Sequence, residues 1–233
     1  MSNDSRVHGT NRRRFLQTAL AGAVAGIAAQ SRVRLASARG VGRRLQLSPD
    51  GALEELLAGN QRFAANQLTS IEHDLTILKE HTVDKQEPFA AVLACADSRV
   101  PVELVFDQSI GHIFVTRVAG NIATPEIIAS LEYGVAVLKV RVLLVLGHAN
   151  CGAVKAAMKA DAVPGQISSL YPPLRPAVEQ SAGDLGKAII ANARLQADLL
   201  RTSSTVIRQA VTAGTLKVAA GVYDLASGKV TTV

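Results

Sequence analysis

The chain has 233 residues, of which 48% are hydrophobic and 19% charged, and its formal net charge is +6 at pH 7. These proportions exclude a disordered or fibrous chain and allow one good core or two small ones. The charge is concentrated at one end, because residues 1–38 hold six of the 25 basic residues and one of the 19 acidic ones. The rest of the chain is almost neutral and aromatic residues are few, so we do not expect nucleic-acid binding.

The first 38 residues have the pattern of an export signal. Asn11-Arg12-Arg13-Arg14-Phe15-Leu16-Gln17 precedes an uncharged run, and Ala36-Ser37-Ala38 is a small-residue pattern that a signal peptidase cleaves. The segment resembles a twin-arginine export signal. A membrane anchor or a buried helix is the alternative, but the uncharged run is shorter than the ~20 residues that a membrane span requires. The domain prediction is a signal peptide over 1–38, a leader over 39–47 and a single catalytic domain over 48–233, located in the periplasm or otherwise exported.

The predicted elements of this domain alternate between helices and strands. Ser48 and Pro49 predict an N-cap and a first-turn proline, and apolar residues at helical spacing continue for about four turns. Four mostly apolar runs predict buried strands, and two more helices are expected. The strands are Phe89–Ala94, Ile113–Val118, Val140–Leu146 and Leu216–Tyr223, and the helices are Thr124–Leu138 and Gly186–Ala213.

This alternation predicts an α/β fold with a mostly parallel central β-sheet flanked by helices. In such folds the loops that follow the carboxyl ends of the strands carry the chemistry. Candidate functional residues are therefore sought where the strands end.

The two most apolar strands are followed by the two most unusual segments of the sequence. One contains Cys95, and the other contains His148 and Cys151; the chain has no other cysteine. If the strands are neighbours, the three side chains converge at one sheet edge, and a Cys₂His set suits Zn²⁺. Three protein ligands leave a fourth position open, as in catalytic zinc sites.

Two other interpretations of the cysteines stay open at this point. Two cysteines in an exported protein can form a disulfide, and buried cysteines are often inert core residues. The disulfide leaves His148, Asp97 and Arg99 unexplained, and the core interpretation puts both thiols beside charged loop residues.

Asp97 and Arg99 follow the first candidate ligand at a spacing that allows a bidentate ion pair. The pair can simply close the loop. Alternatively, it governs the metal site: Asp97 either takes the fourth zinc position in a closed state or pairs with Arg99 and leaves that position to water.

Cys-x-Asp-x-Arg, followed some fifty residues later by His-x-x-Cys-Gly, resembles the zinc signature of the β-class carbonic anhydrases. The resemblance extends from about Asn60 to Lys229. It implies that Cys95, His148 and Cys151 hold one zinc ion per chain and that Asp97 and Arg99 form the catalytic dyad. It also implies a mostly parallel sheet and assembly as a homodimer or a multiple of dimers, with active sites near the subunit interface.

The plant-type branch of that family is favoured by the spacing of further residues from the ligands. By the resemblance, Gln86, Phe114 and Tyr133 line the substrate pocket, together with Gly152 next to the last ligand. Phe114 and Tyr133 are otherwise ordinary core residues. The chain has no tryptophan, so we do not expect the bicarbonate regulation of another branch. Ala96 and Ala149 depart from the family pattern at positions beside the ligands.

The implied activity is reversible hydration of carbon dioxide to bicarbonate and a proton by zinc-bound hydroxide. His112 is considered as a proton relay, although a solvated loop histidine is the simpler interpretation. The alternatives are hydrolysis of carbonyl sulfide or carbon disulfide at the same site, or an exported disulfide or redox binding protein. A small-molecule substrate is expected, with no nucleic acid and no membrane span after signal removal.

Overall fold

The computed structural model describes residues 47–70 and 82–233. The predicted signal, residues 1–38, lies outside the described residues, as does the leader 39–47 except for Leu47. Among the described helices, none has the length and apolar character needed to cross a membrane.

Helix α1, Pro49–Ala64, begins as the sequence predicts. The Ser48 hydroxyl accepts a hydrogen bond from the Gly51 amide at 3.1 Å, and Pro49 occupies the first turn, where no backbone donor is required. Asn60 connects the helix to the rest of the domain, because its amide donates to the carbonyls of Val105 and Gly228 and its oxygen accepts from the Val230 amide.

A five-stranded sheet forms the centre of the domain, in the order β2-β1-β3-β4-β5. The first four strands are parallel, and the short β5 pairs antiparallel with β4. Every residue of β1 and β3 is buried, which explains their continuous apolar sequences. The strands are β1 Ala90–Ala94, β2 Ile113–Arg117, β3 Val142–His148, β4 Lys217–Tyr223 and β5 Val230–Thr232.

Helices cover both faces of this sheet, which confirms the predicted fold class. One core cluster packs α1 and α2 against β1 and β3, and a second packs the long helices against the opposite face. A 3₁₀ turn over Ile167–Leu170 precedes α5. The remaining helices are α2 Val102–Val105, α3 Pro125–Ala136, α4 Gly152–Lys159, α5 Tyr171–Gln180, α6 Leu185–Ser203 and α7 Thr205–Thr212.

The single helix predicted over Gly186–Ala213 is wrong, because the segment forms two helices that meet at Ser204. The backbone of Ser204 is extended, and its hydroxyl accepts from the Ile207 amide at 3.0 Å as the N-cap of α7. The same hydroxyl donates to Glu132 on α3 at 2.6 Å. A serine that binds locally in this way competes with helix continuation, and apolar periodicity does not reveal the competition.

Candidate metal centre

The structure brings the three predicted ligands together at the carboxyl edge of the sheet. Cys95 directly follows β1, His148 is the last residue of β3, and Cys151 is the N-cap of α4. Since β1 and β3 are neighbours, with Ala94 opposite Leu146, the two strand ends arrive side by side. The ligand atoms of the three side chains all lie within 4.8 Å of one another. The residues are 4%, 0% and 1% exposed, so the cluster is almost closed to solvent.

The orientation of the His148 ring points to a metal ligand. Its Nδ1 lies 2.9 Å from the Ala149 carbonyl oxygen. A carbonyl can only accept, so Nδ1 carries the proton and Nε2 presents a lone pair. Nε2 is fully buried and has no hydrogen-bond partner in the described structure. A buried bare nitrogen beside two thiols is costly unless it binds something, and histidine ligands are typically fixed through the other ring nitrogen in this manner.

Both cysteines are free thiols, so the disulfide interpretation does not describe this structure. The pKa of Cys95 falls to about 4, chiefly because the Cys151 thiol donates a hydrogen bond to it, against the effect of burial and with help from the Gly120 amide. The same shared proton, together with burial, raises the pKa of Cys151. The pair therefore carries one thiolate at neutral pH, which is the form that binds a metal.

The donor set fits Zn²⁺. In a tetrahedral site with Zn–S bonds of about 2.3 Å, two sulfur ligands lie about 3.8 Å apart, which is compatible with the spacing of this cluster. Two thiolates and one imidazole are ligands of the softness that zinc selects over calcium or magnesium. We describe the three side chains as the Cys95–His148–Cys151 cluster.

Asp97 and Arg99 form an ion pair beside the cluster. The guanidinium of Arg99 donates from Nε to Oδ1 at 2.9 Å and from Nη2 to Oδ2 at 2.8 Å, and the Arg99 amide donates to Oδ1 at 3.0 Å. These bonds hold the pKa of Asp97 well below its usual range. Asp97 Oδ2 lies 3.8 Å from His148 Nε2, too far for a hydrogen bond. The carboxylate is thus turned to Arg99 and flanks the cluster.

Two backbone-directed contacts at the site were missed by the sequence analysis. Arg117, at the end of β2, donates to the carbonyl oxygens of Cys95 at 2.9 Å and Asp97 at 2.6 Å, and so holds the loop after β1. The Gly120 amide donates to Cys95 Sγ at 3.3 Å. The Arg117 contact could have been anticipated, because a basic residue stands at the end of a predicted strand. The Gly120 contact could not, because a backbone amide has no sequence signal.

The departures at Ala96 and Ala149 supply no side-chain contact to the cluster. Ala149 acts through its backbone, because its carbonyl accepts from His148 and its amide donates to the Tyr223 carbonyl at 2.8 Å. The second of these bonds ties the loop after β3 to the end of β4.

The predicted pocket residues divide into two groups. Gly152 lies next to the ligand Cys151: it begins α4, is exposed, and a Cβ built there would meet no atom within 4 Å. Phe114 lies at the start of β2, opposite Ala91 and four residues before the strand position of Cys95. That offset is about 13 Å along the sheet.

Tyr133 and Gln86 also lie away from the cluster of their own chain. The Tyr133 ring packs on Phe114 with 6.2 Å between centroids and is 47% exposed. Gln86 is exposed in the segment that leads into the amino end of β1. His112 lies at the amino end of β2, half-buried, where its Nδ1 accepts from the Ser109 amide at 3.3 Å. One chain therefore does not assemble the predicted pocket around its own metal cluster.

Comparison with known proteins assigns this fold and site to a family. The carbonic anhydrase family profile matches residues 90–230. The chain is 35% identical over 193 residues to the carbonic anhydrase of Mycolicibacterium smegmatis, covering 78% of this chain and 92% of the relative. The Coccomyxa β-carbonic anhydrase, solved with acetazolamide, superposes with a TM-score of 0.61 at 28% identity over 68% of this chain and 77% of that one.

A second solved structure agrees in fold. It is one of two tetrameric β-carbonic anhydrases from Sordaria macrospora, with a TM-score of 0.60 at 22% identity over 68% of this chain and 90% of that one. The chain belongs to the carbonic anhydrase family, and its solved relatives are of the β class. It is an enzyme of this family, with zinc as the metal that its cluster suits.

Proposed function

We propose that the protein catalyses the reversible hydration of carbon dioxide to bicarbonate and a proton. The observation that carries this proposal is the buried Cys95–His148–Cys151 cluster, in which His148 Nε2 has no hydrogen-bond partner among the described residues and beside which the Asp97–Arg99 pair lies. Two thiols and one imidazole form the donor set for a metal with one exchangeable position, and the Asp97 carboxylate lies beside this set.

The side chains around the cluster have separate tasks. Cys95, His148 and Cys151 would hold a zinc ion, which would lower the pKa of a water molecule to about 7 and so supply a nucleophile at neutral pH. Asp97 stays ionised because Arg99 donates two side-chain hydrogen bonds to it, so beside the cluster it offers a charged acceptor that would orient a hydrogen-bond donor such as water.

The direct test removes one ligand at a time. Cys95→Ala and His148→Ala are expected to lose bound zinc and carbon dioxide hydration together, measured by metal analysis and stopped-flow pH change. His112→Ala is the matched histidine control and is expected to keep its zinc. An active zinc-free Cys95→Ala or His148→Ala variant contradicts the proposal.

Carbonyl sulfide and carbon disulfide belong in the same assay. We expect carbon dioxide to be the preferred substrate, and acetazolamide, the ligand of the Coccomyxa relative, to inhibit. A protein that holds zinc and hydrolyses only the sulfur compounds would keep the proposed site and change the proposed substrate.

We infer that the active enzyme is a homodimer, or a multiple of it, in which Gln86, Phe114 and Tyr133 complete the partner's pocket, as in the plant-type branch. Phe114 and Tyr133 lie at the opposite sheet edge from the cluster of their own chain. The exposed Tyr133 and the neighbouring Val137, 57% exposed, offer an apolar surface for such contact. A second copy can bring these residues to a cluster that they do not reach within one chain.

We also propose that residues 1–38 direct the protein out of the cytoplasm by the twin-arginine route. The support is the Arg12-Arg13-Arg14-Phe15-Leu16 pattern and the concentration of positive charge there. Replacing Arg12 and Arg13 together with lysine is expected to retain the protein in the cytoplasm on cell fractionation. The matched control replaces Arg32 and Arg34 with lysine, which conserves the same charges and is expected to leave export intact.

A further inference from the structure

A backbone amide connects the metal cluster to helix α6. The Gly120 N–H donates to Cys95 Sγ at 3.3 Å, and both groups are buried. A hydrogen bond to a thiolate favours the ionised ligand and withdraws electron density from sulfur, which leaves more Lewis acidity to the metal. The position of this one amide therefore bears on how strongly Cys95 binds and how much charge it donates.

The residue that carries this amide is held in an unusual conformation. Gly120 has φ +80 and Asn121 has φ +45, so two successive residues lie in the left-handed region. A Cβ on residue 120 would come within 3.2 Å of Leu174 and 3.3 Å of Ala153. Glycine is thus required both by the backbone and by the packing. A turn of this kind persists only where its surroundings fix it.

Two buried amide side chains of α6 fix the turn at both ends. Asn192 Nδ2 donates to the Gly120 carbonyl at 2.9 Å, and Gln196 Oε1 accepts from the Ala123 amide at 2.8 Å. Gln196 Nε2 also donates to Asn192 Oδ1 at 3.2 Å, so the two side chains brace each other. Asn192 is 1% exposed and Gln196 is 3% exposed.

We propose that Asn192 and Gln196 are positioning residues for the metal site, which hold the Gly120 amide against Cys95 and so set the metal affinity and electron donation of this ligand. The inference depends on the metal binding proposed above. Neither side chain touches the cluster; both act through the 120–123 turn. Their hydrogen bonds to the 120–123 turn are distinct from the packing contacts that the apolar residues of α6 make with the core.

The test compares substitutions on one helix. Asn192→Leu conserves volume but removes the donor to Gly120, whereas Leu200→Ala truncates a buried α6 residue of the second core cluster and leaves Gly120 untouched. Zinc affinity is measured by chelator competition. The Cys-to-metal charge-transfer band is measured after Co²⁺ substitution. Neither measurement depends on catalytic activity.

We expect Asn192→Leu to bind zinc at least about 10-fold more weakly than the unmodified protein, the range seen for partners that orient metal ligands. Its charge-transfer band should move to longer wavelength, because a sulfur without the N–H contact holds its electrons less tightly. Leu200→Ala should weaken the fold without moving the band or changing zinc affinity by more than about twofold.

Gln196→Leu leaves the Asn192 side chain able to donate to Gly120, but it removes the hydrogen bonds of Gln196 with Asn192 and with the Ala123 amide. It should weaken zinc binding and move the charge-transfer band to longer wavelength, each by less than Asn192→Leu does. This variant decides the matter if Asn192→Leu does not fold. The inference is overturned if the folded variants match Leu200→Ala in affinity and band position. Failure of the unmodified protein to bind zinc would instead contradict the proposed function.

Discussion

Arg99 shows how one side chain can control another without touching the cluster. Its planar guanidinium donates to both carboxylate oxygens of Asp97, and the Arg99 backbone amide donates a further hydrogen bond to Oδ1. Three hydrogen bonds from Arg99 therefore hold this carboxylate. Although Arg99 is 54% exposed, Asp97 is only 17% exposed and has little freedom to turn. The direction in which Asp97 points therefore depends on the shape of its partner as well as on its charge.

We predict that Arg99→Lys keeps the zinc but lowers kcat/KM for carbon dioxide hydration by about 10-fold or more, because lysine is a point charge that cannot hold both oxygens. Zinc content and stopped-flow kinetics on the same sample measure the two effects. Arg201→Lys is the matched control, since Arg201 pairs with Asp198 on α6 away from the cluster, and should change neither. An equal kcat/KM in Arg99→Lys and Arg201→Lys would contradict a role for the two hydrogen bonds that the Arg99 guanidinium donates to Asp97.

The sequence predicted the cluster residues because their chemistry is carried by side chains at recognisable spacing. Cys95, His148 and Cys151 follow two strands whose burial is evident from composition. The contribution of Gly120 was not predictable, since it rests on a backbone amide whose direction depends on a left-handed turn. Arg117 likewise acts on carbonyl groups, which every residue possesses.

Ser204 divides what the apolar pattern presents as one helix. Its hydroxyl caps α7 and bonds to Glu132, and it is 1% exposed. We predict that Ser204→Ala destabilises the domain by about 1–2 kcal/mol, through the lost cap and the carboxylate left without its donor. Urea unfolding measures this, and zinc affinity should stay the same.

Ser203→Ala is the neighbouring control, because Ser203 is exposed and its hydroxyl only donates back to the Leu199 carbonyl. It should leave the urea midpoint almost unchanged. If Ser204→Ala is no more destabilising than this control, the break between the two helices is fixed by something other than the hydroxyl.

Asp107 joins α1 to the chain that follows it. Its side chain is fully buried, accepts from Arg62 Nε at 2.5 Å, and also accepts from the Thr69 and Ser70 amides at 2.9 and 2.8 Å. Burial by itself would raise the pKa of Asp107, but the bonds from Arg62, Ser70 and Thr69 together lower it. A carboxyl with a depressed folded pKa stabilises the fold above its unfolded pKa of about 3.9, and this stability is lost as pH falls through the folded value.

We predict that Asp107→Asn lowers the free energy of unfolding at pH 7 by about 1–3 kcal/mol, because an amide lacks the charge and one acceptor. The difference from the unmodified protein should narrow as pH falls below about 4. Urea unfolding at several pH values measures both. Asp50→Asn, in an exposed pair with Lys217, should give no measurable change at any of these pH values.

At the scale of elements, the strands and the first helix were predictable because burial imposes continuous apolar runs and because Ser48 and Pro49 mark a start. The short helices α2 and α4 were not predicted. They hold four and eight residues, too few for periodicity to emerge. Strand β5 is only three residues long, too short to be recognised by alternation; it pairs with β4, and Asn60 of α1 accepts a hydrogen bond from its Val230 amide.

At the scale of the whole molecule, the metal cluster and the Phe114–Tyr133 pair lie toward opposite edges of one sheet. If each pocket takes these aromatic residues from a partner, two differently damaged chains can repair each other. We predict that a chain with Cys95→Ala and a chain with Tyr133→Ala, co-purified through different tags, together regain carbon dioxide hydration activity.

In a heterodimer isolated through both tags, one of the two sites has both an intact cluster and an intact partner Tyr133, so about half of the sites in the sample are complete. The mixture should therefore be more active than either variant alone, in a stopped-flow assay. Pairing Cys95→Ala with His148→Ala is the control, because both lesions fall on the same cluster and no intact site can form. A mixture of the first pair with no gain over its components would show that Tyr133 does not act across subunits.

The predicted strands already implied this separation, because Phe114 lies near the start of the run Ile113–Val118, whereas Cys95 follows the end of the run Phe89–Ala94. The sequence left open how these two strands pair. The parallel register decides that, and it places Phe114 opposite Ala91 rather than near Cys95.

The pairing of β1 with β3 has a consequence for how zinc is acquired. Cys95 and the His148–Cys151 turn are separated by 52 residues of chain and become neighbours only when the centre of the sheet has formed. Ion capture is then inseparable from tertiary folding, and its binding energy adds to the stability of the folded chain alone. A nascent chain that ends before β3 carries Cys95 but neither His148 nor Cys151, so it lacks two of the three ligands, and stable zinc binding has to wait for the second half of the domain.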